Sequence, residues 1–301
     1  MSDNASGLHD DWSAAYRVPV DGRFVIDRFA AEPPPGIPGR KAMKKALNRQ
    51  VRRLHDLQRL LYADGRKAVL AVFQGLDAAG KDSTIRHVFS GVNPAGFRVT
   101  SFGPPGGREC GHDFLWRCAR ALPERGRIGI FNRSHYEEVL VVRVHPRHLA
   151  GQGLSTTPDE SFWLARFESI RAWEQHLARN GTVIVKFWLN VSMAEQARRF
   201  QRRIERQDKQ WKFRLGDLET RERRTEYLQA YEALLRETST DQAPWFAIPA
   251  DSKPYMRLAV ARIMVETLER MPITFPAVTP EQIADMATAS QRLAQRGDGP
   301  S

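Results

Sequence analysis

Between Val69 and Thr84 the chain reads VLAVFQGLDAAGKDST. Gly75 and Gly80 stand five residues apart and Lys81 follows at once, which is the Gly-x-x-x-x-Gly-Lys spacing of a loop that cradles phosphate. The chemistry is electrostatic. Glycines let the backbone bend until successive N–H groups face one anion, here those around Gly75, Ala78, Ala79 and Gly80. A helix expected from Ser83 adds unpaired N–H groups and the positive end of its dipole, with Asp82 and Ser83 at its start. Lys81 supplies a point charge to the phosphate.

The position after the lysine is usually Ser or Thr, whose hydroxyl meets magnesium. Here it is Asp82, and Asp77 lies inside the loop. Two carboxylates beside a phosphate site repel the substrate unless a hard cation lies between them, so both are read as metal-side groups. The alternative for Asp82 is a helix N-cap. A second apolar run, Arg127 to Phe131, ends in Asn132, Arg133, Ser134, His135, Tyr136 and Glu137. In P-loop enzymes such a strand end carries a residue that holds magnesium, and Asn132 occupies that place. Arg133 beside it is suited to brace a moving phosphoryl group. Glu137, about one helical turn on, shares the site. The catalytic candidates are thus Asp77, Lys81 and Arg133.

A third group is cationic. After Ser192, a helix cap, the chain carries Arg198, Arg199, Arg202, Arg203, Arg206, Lys209 and Lys212. Several recur three or four apart and share a helix face, where like charges repel. A polyanion relieves that repulsion, so the segment around 199–225 is read as a basic lid over phosphates rather than a solvated face.

These residues need a scaffold. Apolar runs at Lys67–Phe73, Phe97–Phe102, Arg127–Phe131, Thr182–Asn190 and Pro244–Pro249 read as strands, and amphipathic helices alternate with them, as at 41–62 and 162–179. The pattern predicts an α/β fold: three layers, α/β/α, with a mostly parallel sheet, and with ligands at the carboxyl ends of the strands. Residues 1–23 are expected to be disordered, 24–270 to form the domain, and 271–301 to be a weakly structured tail. The whole chain of 301 residues has 46 Lys+Arg against 35 Asp+Glu, a net charge of +11, which points to a polyanionic partner. Zinc-finger and RNA-recognition signatures are missing, so nucleic acid is not the expected partner. Two cysteines, no apolar run of membrane-spanning length and a polar first segment lead us to expect a cytoplasmic protein with no membrane partner.

The motifs together resemble one family. GLDAAGKDSTIRHVFSGVNPAGFRVTSF, HDFLWR, LPERGRIGIFNRSHYEEVLVVRVHP, RNGTVIVKFWLNVS, EQARRFQRR, WKF and APWFAIPAD occur in order and are similar to those of polyphosphate kinases of the second family. The resemblance spans about Phe24 to Leu268. It implies reversible phosphoryl transfer between inorganic polyphosphate and nucleotides, with magnesium, or manganese in its place, on a P-loop core with a lid. Carried over by position, it assigns Asp77, Lys81 and Asp82 to the P-loop, Asn132 and Arg133 to the second strand, and Arg199, Arg203, Lys212 and Asp217 to the lid. Many members have Asp in place of Asn132 and Asn in place of Glu137. The version here resembles the subgroup that accepts both AMP and ADP, which makes Glu137 the acceptor-selecting residue. Adenine nucleotides are the expected acceptors, with guanine nucleotides second, and a homo-oligomer, dimer or tetramer, is expected. The competing reading is an ATP-dependent P-loop kinase for a nucleoside monophosphate or another small acceptor; a vestigial P-loop on a nucleic-acid-binding module is the third.

Overall fold

The structure, a computed structural model, describes residues 11–155, 157–211 and 216–297. Its centre is a parallel sheet of five strands: β1 (Ala68–Gln74), β2 (Phe97–Ser101), β3 (Ile128–Asn132), β4 (Thr182–Asn190) and β5 (Trp245–Pro249), in the order β2-β3-β1-β4-β5. Every pairing between these five strands is parallel, where the sequence led us to expect mostly parallel, and one isolated antiparallel bridge joins Arg17 to Phe246 of β5. β1 reads AVLAVFQ and is buried at every residue, the pattern of a strand covered on both faces.

Helices cover both faces. In chain order they are α1 (Trp12–Tyr16), α2 (Arg40–Asp64), α3 (Lys81–Val88), α4 (Trp116–Ala119), α5 (Val141–Val144) and α6 (Glu160–Arg179), then α7 (Met193–Glu205), α8 (Gln207–Gln210), α9 (Gly216–Glu222), α10 (Arg224–Thr238), α11 (Lys253–Glu269) and α12 (Pro280–Gly297). One group packs α2, α3 and α1 against α11; the other packs α5 and α6 against α10. Gly65, left-handed at φ 66°, ends α2, and Ser192 caps α7 by accepting from the Glu195 N–H.

Both ends of the domain differ from expectation. Residues 1–10 lie outside the described residues, but Trp12, Tyr16 and Val18 are in the core. Asp11 caps α1, and the Trp12 and Ser13 N–H groups donate to the Glu266 carboxylate, so the local polarity serves as anchoring. At the other end, 280–297 is a continuous helix rather than a weakly structured tail, although its described side chains are exposed. Between β2 and β3 the chain forms only the short α4, behind a 3-10 turn at Gly107–Gly111.

Candidate active site

β1 and β3 end side by side, with Phe73 opposite Asn132, and both feed loops at the carboxyl edge of the sheet. After β1 the chain turns sharply through Gly75. A Cβ there would lie 2.9 Å from the Leu189 carbonyl oxygen, so the close approach to β4 demands glycine. Ala78 at φ 63° and Gly80 at φ 108° complete a left-handed bend before α3 begins at Lys81. Helix α3 thus starts two residues before the expected Ser83. Its N-cap is Gly80, and Asp82 sits in its first turn rather than at the cap.

The bend is held from behind. Gln196 donates to the Asp77 carbonyl at 2.9 Å, and Arg199 Nη1 donates to the Ala78 and Ala79 carbonyls at 3.1 and 2.6 Å. Because the peptide unit is planar, drawing the Asp77 and Ala79 carbonyls toward α7 turns the N–H groups of Ala78 and Gly80 away from it. Arg199 spends its other donors on Glu195 (2.9 Å) and on the Ala250 and Asp251 carbonyls. This corrects the expectation for Arg199. Its guanidinium is buried, with all five N–H groups committed within the chain, and it braces the loop instead of roofing a phosphate.

Lys81 is buried too, and its ammonium reaches back to the Gly75 carbonyl at 2.5 Å and the Leu76 carbonyl at 3.4 Å. Burial pushes its pKa down, and Arg133 adds repulsion, while Asp77, Glu137 and Asp82 oppose both. Arg133 donates to Asp77 at 2.7 Å and lies 3.8 Å from Glu137. It holds a left-handed φ of 63°, a conformation that costs an arginine about 1–2 kcal/mol and that gathers at functional sites. Its N–H donates to the Phe73 carbonyl, tying the β3 turn to the end of β1. Burial pushes the Glu137 carboxyl up, and Arg133 and Lys81 pull it back. Asp77, Lys81, Arg133 and Glu137 therefore form one charged cluster.

Asn132 faces the other side of Lys81's loop, donating to Asp82 at 2.8 Å and to the Ser101 hydroxyl at 3.3 Å. Its own Oδ1 is buried and has no hydrogen-bond partner among the described residues. No group of three acids, histidines or cysteines is arranged to hold a metal there, again among the described residues. Asp82 and the orphaned amide oxygen lie together on this side, while Asp77 on the other flank is paired with Arg133. Oxygens of this kind suit a hard cation that draws its remaining ligands from phosphate and water, the habit of magnesium.

Two cavities open over this cluster. One of about 330 Å³ has Phe102, Phe114, Val141 and Val142 as apolar walls and Arg133 and Glu137 at its base. The other, of about 210 Å³, lies over Gly75, Asp77, Arg133 and Glu137, with His145, Tyr227 and Tyr231 beyond. Among the lining residues named here, the sequence reading had proposed only Gly75, Asp77, Arg133 and Glu137. Phe102, Phe114 and His145 lie inside the motifs quoted for the family but were given no site role, and Tyr227 and Tyr231 lie outside them; the walls come from segments far apart in the chain. Arg203, partly exposed on the outer half of α7, packs its guanidinium 5.2 Å from the Phe200 ring centroid. Lys212 lies outside the described residues.

The family model described as Polyphosphate kinase 2 (PPK2) matches residues 39–276. The chain belongs to the polyphosphate kinase 2 family. It is 47% identical over 280 residues to an ADP-polyphosphate phosphotransferase of Rhodopseudomonas palustris, covering 92% of this chain and 97% of the relative. It is 48% identical over 262 residues to an AMP/ADP-polyphosphate phosphotransferase of Meiothermus ruber, covering 87% and 94%. The crystal structure of polyphosphate kinase 2 from Arthrobacter aurescens TC1 superposes with a TM-score of 0.85 at 33% identity, covering 93% of this chain and 97% of that one. Polyphosphate kinase 2 enzymes generally depend on a divalent metal, in keeping with the oxygen-rich side of the loop. Among the described residues, no helix is long and apolar enough to cross a membrane.

Proposed function

We propose that this chain transfers a phosphoryl group from inorganic polyphosphate to AMP and to ADP, reversibly and in the cytoplasm, with magnesium as the metal and manganese as its substitute. The observation that carries this reading is a P-loop with a mixed, mutually paired charge cluster on one flank and cations on the other. Toward the cavities stand Asp77, Arg133 and Glu137, a compact acceptor-facing cluster. Behind the loop, around Lys253, the charges that act most strongly are all positive: Arg199, Arg202, Lys209 and Arg257. Arg257 in turn feels Arg86, Arg199 and Arg40. Cations set side by side are costly unless an anion lies along them, and an extended phosphate chain supplies that anion. The Meiothermus relative's name couples both acceptors, which favours AMP and ADP together.

Phosphoryl transfer needs alignment and charge neutralisation more than covalent help. Lys81 and the N–H groups of the bend hold the phosphate that moves. Arg133 braces it from the acceptor side, oriented by Asp77. Glu137 meets the acceptor and distinguishes one terminal phosphate from two. Asp77, Asp82 and Asn132 would hold the cation, which when bound spreads phosphate charge. Arg203 and Lys212 steer the donor chain.

The test is direct. Purified protein with long-chain polyphosphate, magnesium and AMP, and no nucleoside triphosphate, should form ADP and then ATP. Transfer from ATP alone would favour the small-acceptor kinase instead, and oligonucleotide binding without transfer would remove both.

A further inference from the structure

Glu137 sits on a 3-10 turn, His135–Val139, whose neighbours on either side are deeply buried. With three residues per turn, Tyr136, Glu137 and Glu138 point in directions about 120° apart. Glu137 points toward Arg133, and the other two point into the protein.

Tyr136 enters a charged knot beneath the sheet. Its hydroxyl donates to Glu174 on α6 at 2.7 Å and accepts from Lys186 on β4 at 2.9 Å. The Lys186 ammonium also donates to Glu174 at 2.6 Å and to the Thr238 carbonyl, at the end of α10, at 2.8 Å. All three ammonium hydrogens are used. Lys186 and Glu174 are buried, and burial pushes the lysine down and the carboxyl up while each opposes the other's shift. Glu138 is tied on the opposite side, where its carboxylate accepts from Arg166 at 2.8 Å and from Gln152 at 2.7 Å. Arg166 is itself wedged between Phe114 and Phe162, 4.8 and 4.9 Å from their ring centroids.

A buried ion pair is a poor means of gaining stability, since packed apolar side chains of similar volume would serve as well or better. What it supplies is direction. We infer that Tyr136, Glu174 and Lys186 are positioning residues, which fix the reach of Glu137 into the cleft and so set the preference between AMP and ADP. This rests on the reading of Glu137 as the acceptor-facing carboxylate. Tyr136, Glu174 and Lys186 line neither cavity over the cluster. They act through the turn, where a displacement of an ångström is enough to change turnover.

The test compares kcat/KM for AMP with that for ADP at saturating polyphosphate. Tyr136→Phe keeps the ring and removes the hydroxyl, and should shift the AMP:ADP ratio by about threefold or more while KM for polyphosphate stays within about twofold. Tyr16→Phe is the matched control. It removes a buried hydroxyl from the Tyr16–Tyr255 pair, which lines neither cavity, and should leave the ratio alone. Should Tyr136→Phe fail to fold, Glu174→Gln reads the same ratio. An unchanged ratio in the folded variant overturns the inference, as does an equal shift in Tyr16→Phe. Glu137→Gln separates the two levels. A shifted ratio there with none in Tyr136→Phe removes the positioning role and leaves the proposed function standing. No shift in Glu137→Gln removes the acceptor role of Glu137, and the inference falls with it.

Discussion

Lys81 carries the sharpest expectation at the scale of single residues. Its ammonium lies among one cation and three carboxylates, within reach of two loop carbonyls, and in the proposed reaction it turns to the phosphate. Lys81→Met keeps most of the side chain's volume and removes the charge. Steady-state assays should show turnover falling on the order of a hundredfold or more, as when one positioned charge is lost. The melting temperature should stay within about 5 °C, because the methionine fills the same buried channel. Near-normal turnover would take the loop out of the reaction. The lysine, both glycines and the two aspartates were legible as a loop beforehand because they fall within one short stretch, 75–82. Arg133 and Glu137 were legible because they follow a strand end. The left-handed φ of Arg133 was not, since no glycine or asparagine marks it.

At the scale of elements, α7 was read correctly as a helix and incorrectly as uniformly lid-like. Its arginines look alike in sequence, but one turn separates a brace from a surface charge. Arg199 meets carbonyls 120 and 51 residues away, and no spacing rule reports such partners. The two arginines should therefore respond differently. Arg199→Met leaves the Glu195 carboxylate with Arg198 in place of its buried partner and takes the donor from several carbonyls, and breaking such a buried pair costs up to about 3–5 kcal/mol. The melting temperature should drop, and KM should rise for polyphosphate and nucleotide alike. Arg203→Ala should leave the melt in place and raise KM for polyphosphate severalfold, with little change for nucleotide. An Arg199 variant that melts normally and loses only polyphosphate affinity would return that residue to the lid. α1 was missed for a related reason: its polar neighbours hide one tryptophan that docks on α11 near Glu266 and Tyr255.

Across the whole molecule, the excess of positive charge has a pH signature. Burial, followed by four neighbouring cations, lowers the Lys253 ammonium to about 8. Below that pH it is charged and available to a polyanion; as pH rises through 8 the charge is lost. KM for polyphosphate should therefore climb between pH 7 and pH 9, and the bound polyanion, by favouring the charged form, should take up a proton in that range. Lys253→Met should start with the weaker affinity at pH 7 and flatten the profile. A climb of equal size in the variant would assign the effect elsewhere. The sheet itself was almost entirely legible, strand by strand, because buried parallel strands are short apolar runs set apart by turns. The knot under the site was not: Tyr136, Glu174, Lys186 and Thr238 are scattered over about a hundred positions and share no motif.

That scattering bears on how the enzyme comes into being. Lys186 has nothing to neutralise it until β4, α6 and the end of α10 have met, and only then does the turn bearing Glu137 gain its footing. A nascent chain emerging as far as its P-loop already has the loop sequence but not yet a competent surface. On dilution from denaturant, catalytic power should therefore return together with the last-formed native contacts rather than ahead of them, so that half-built copies turn over no polyphosphate.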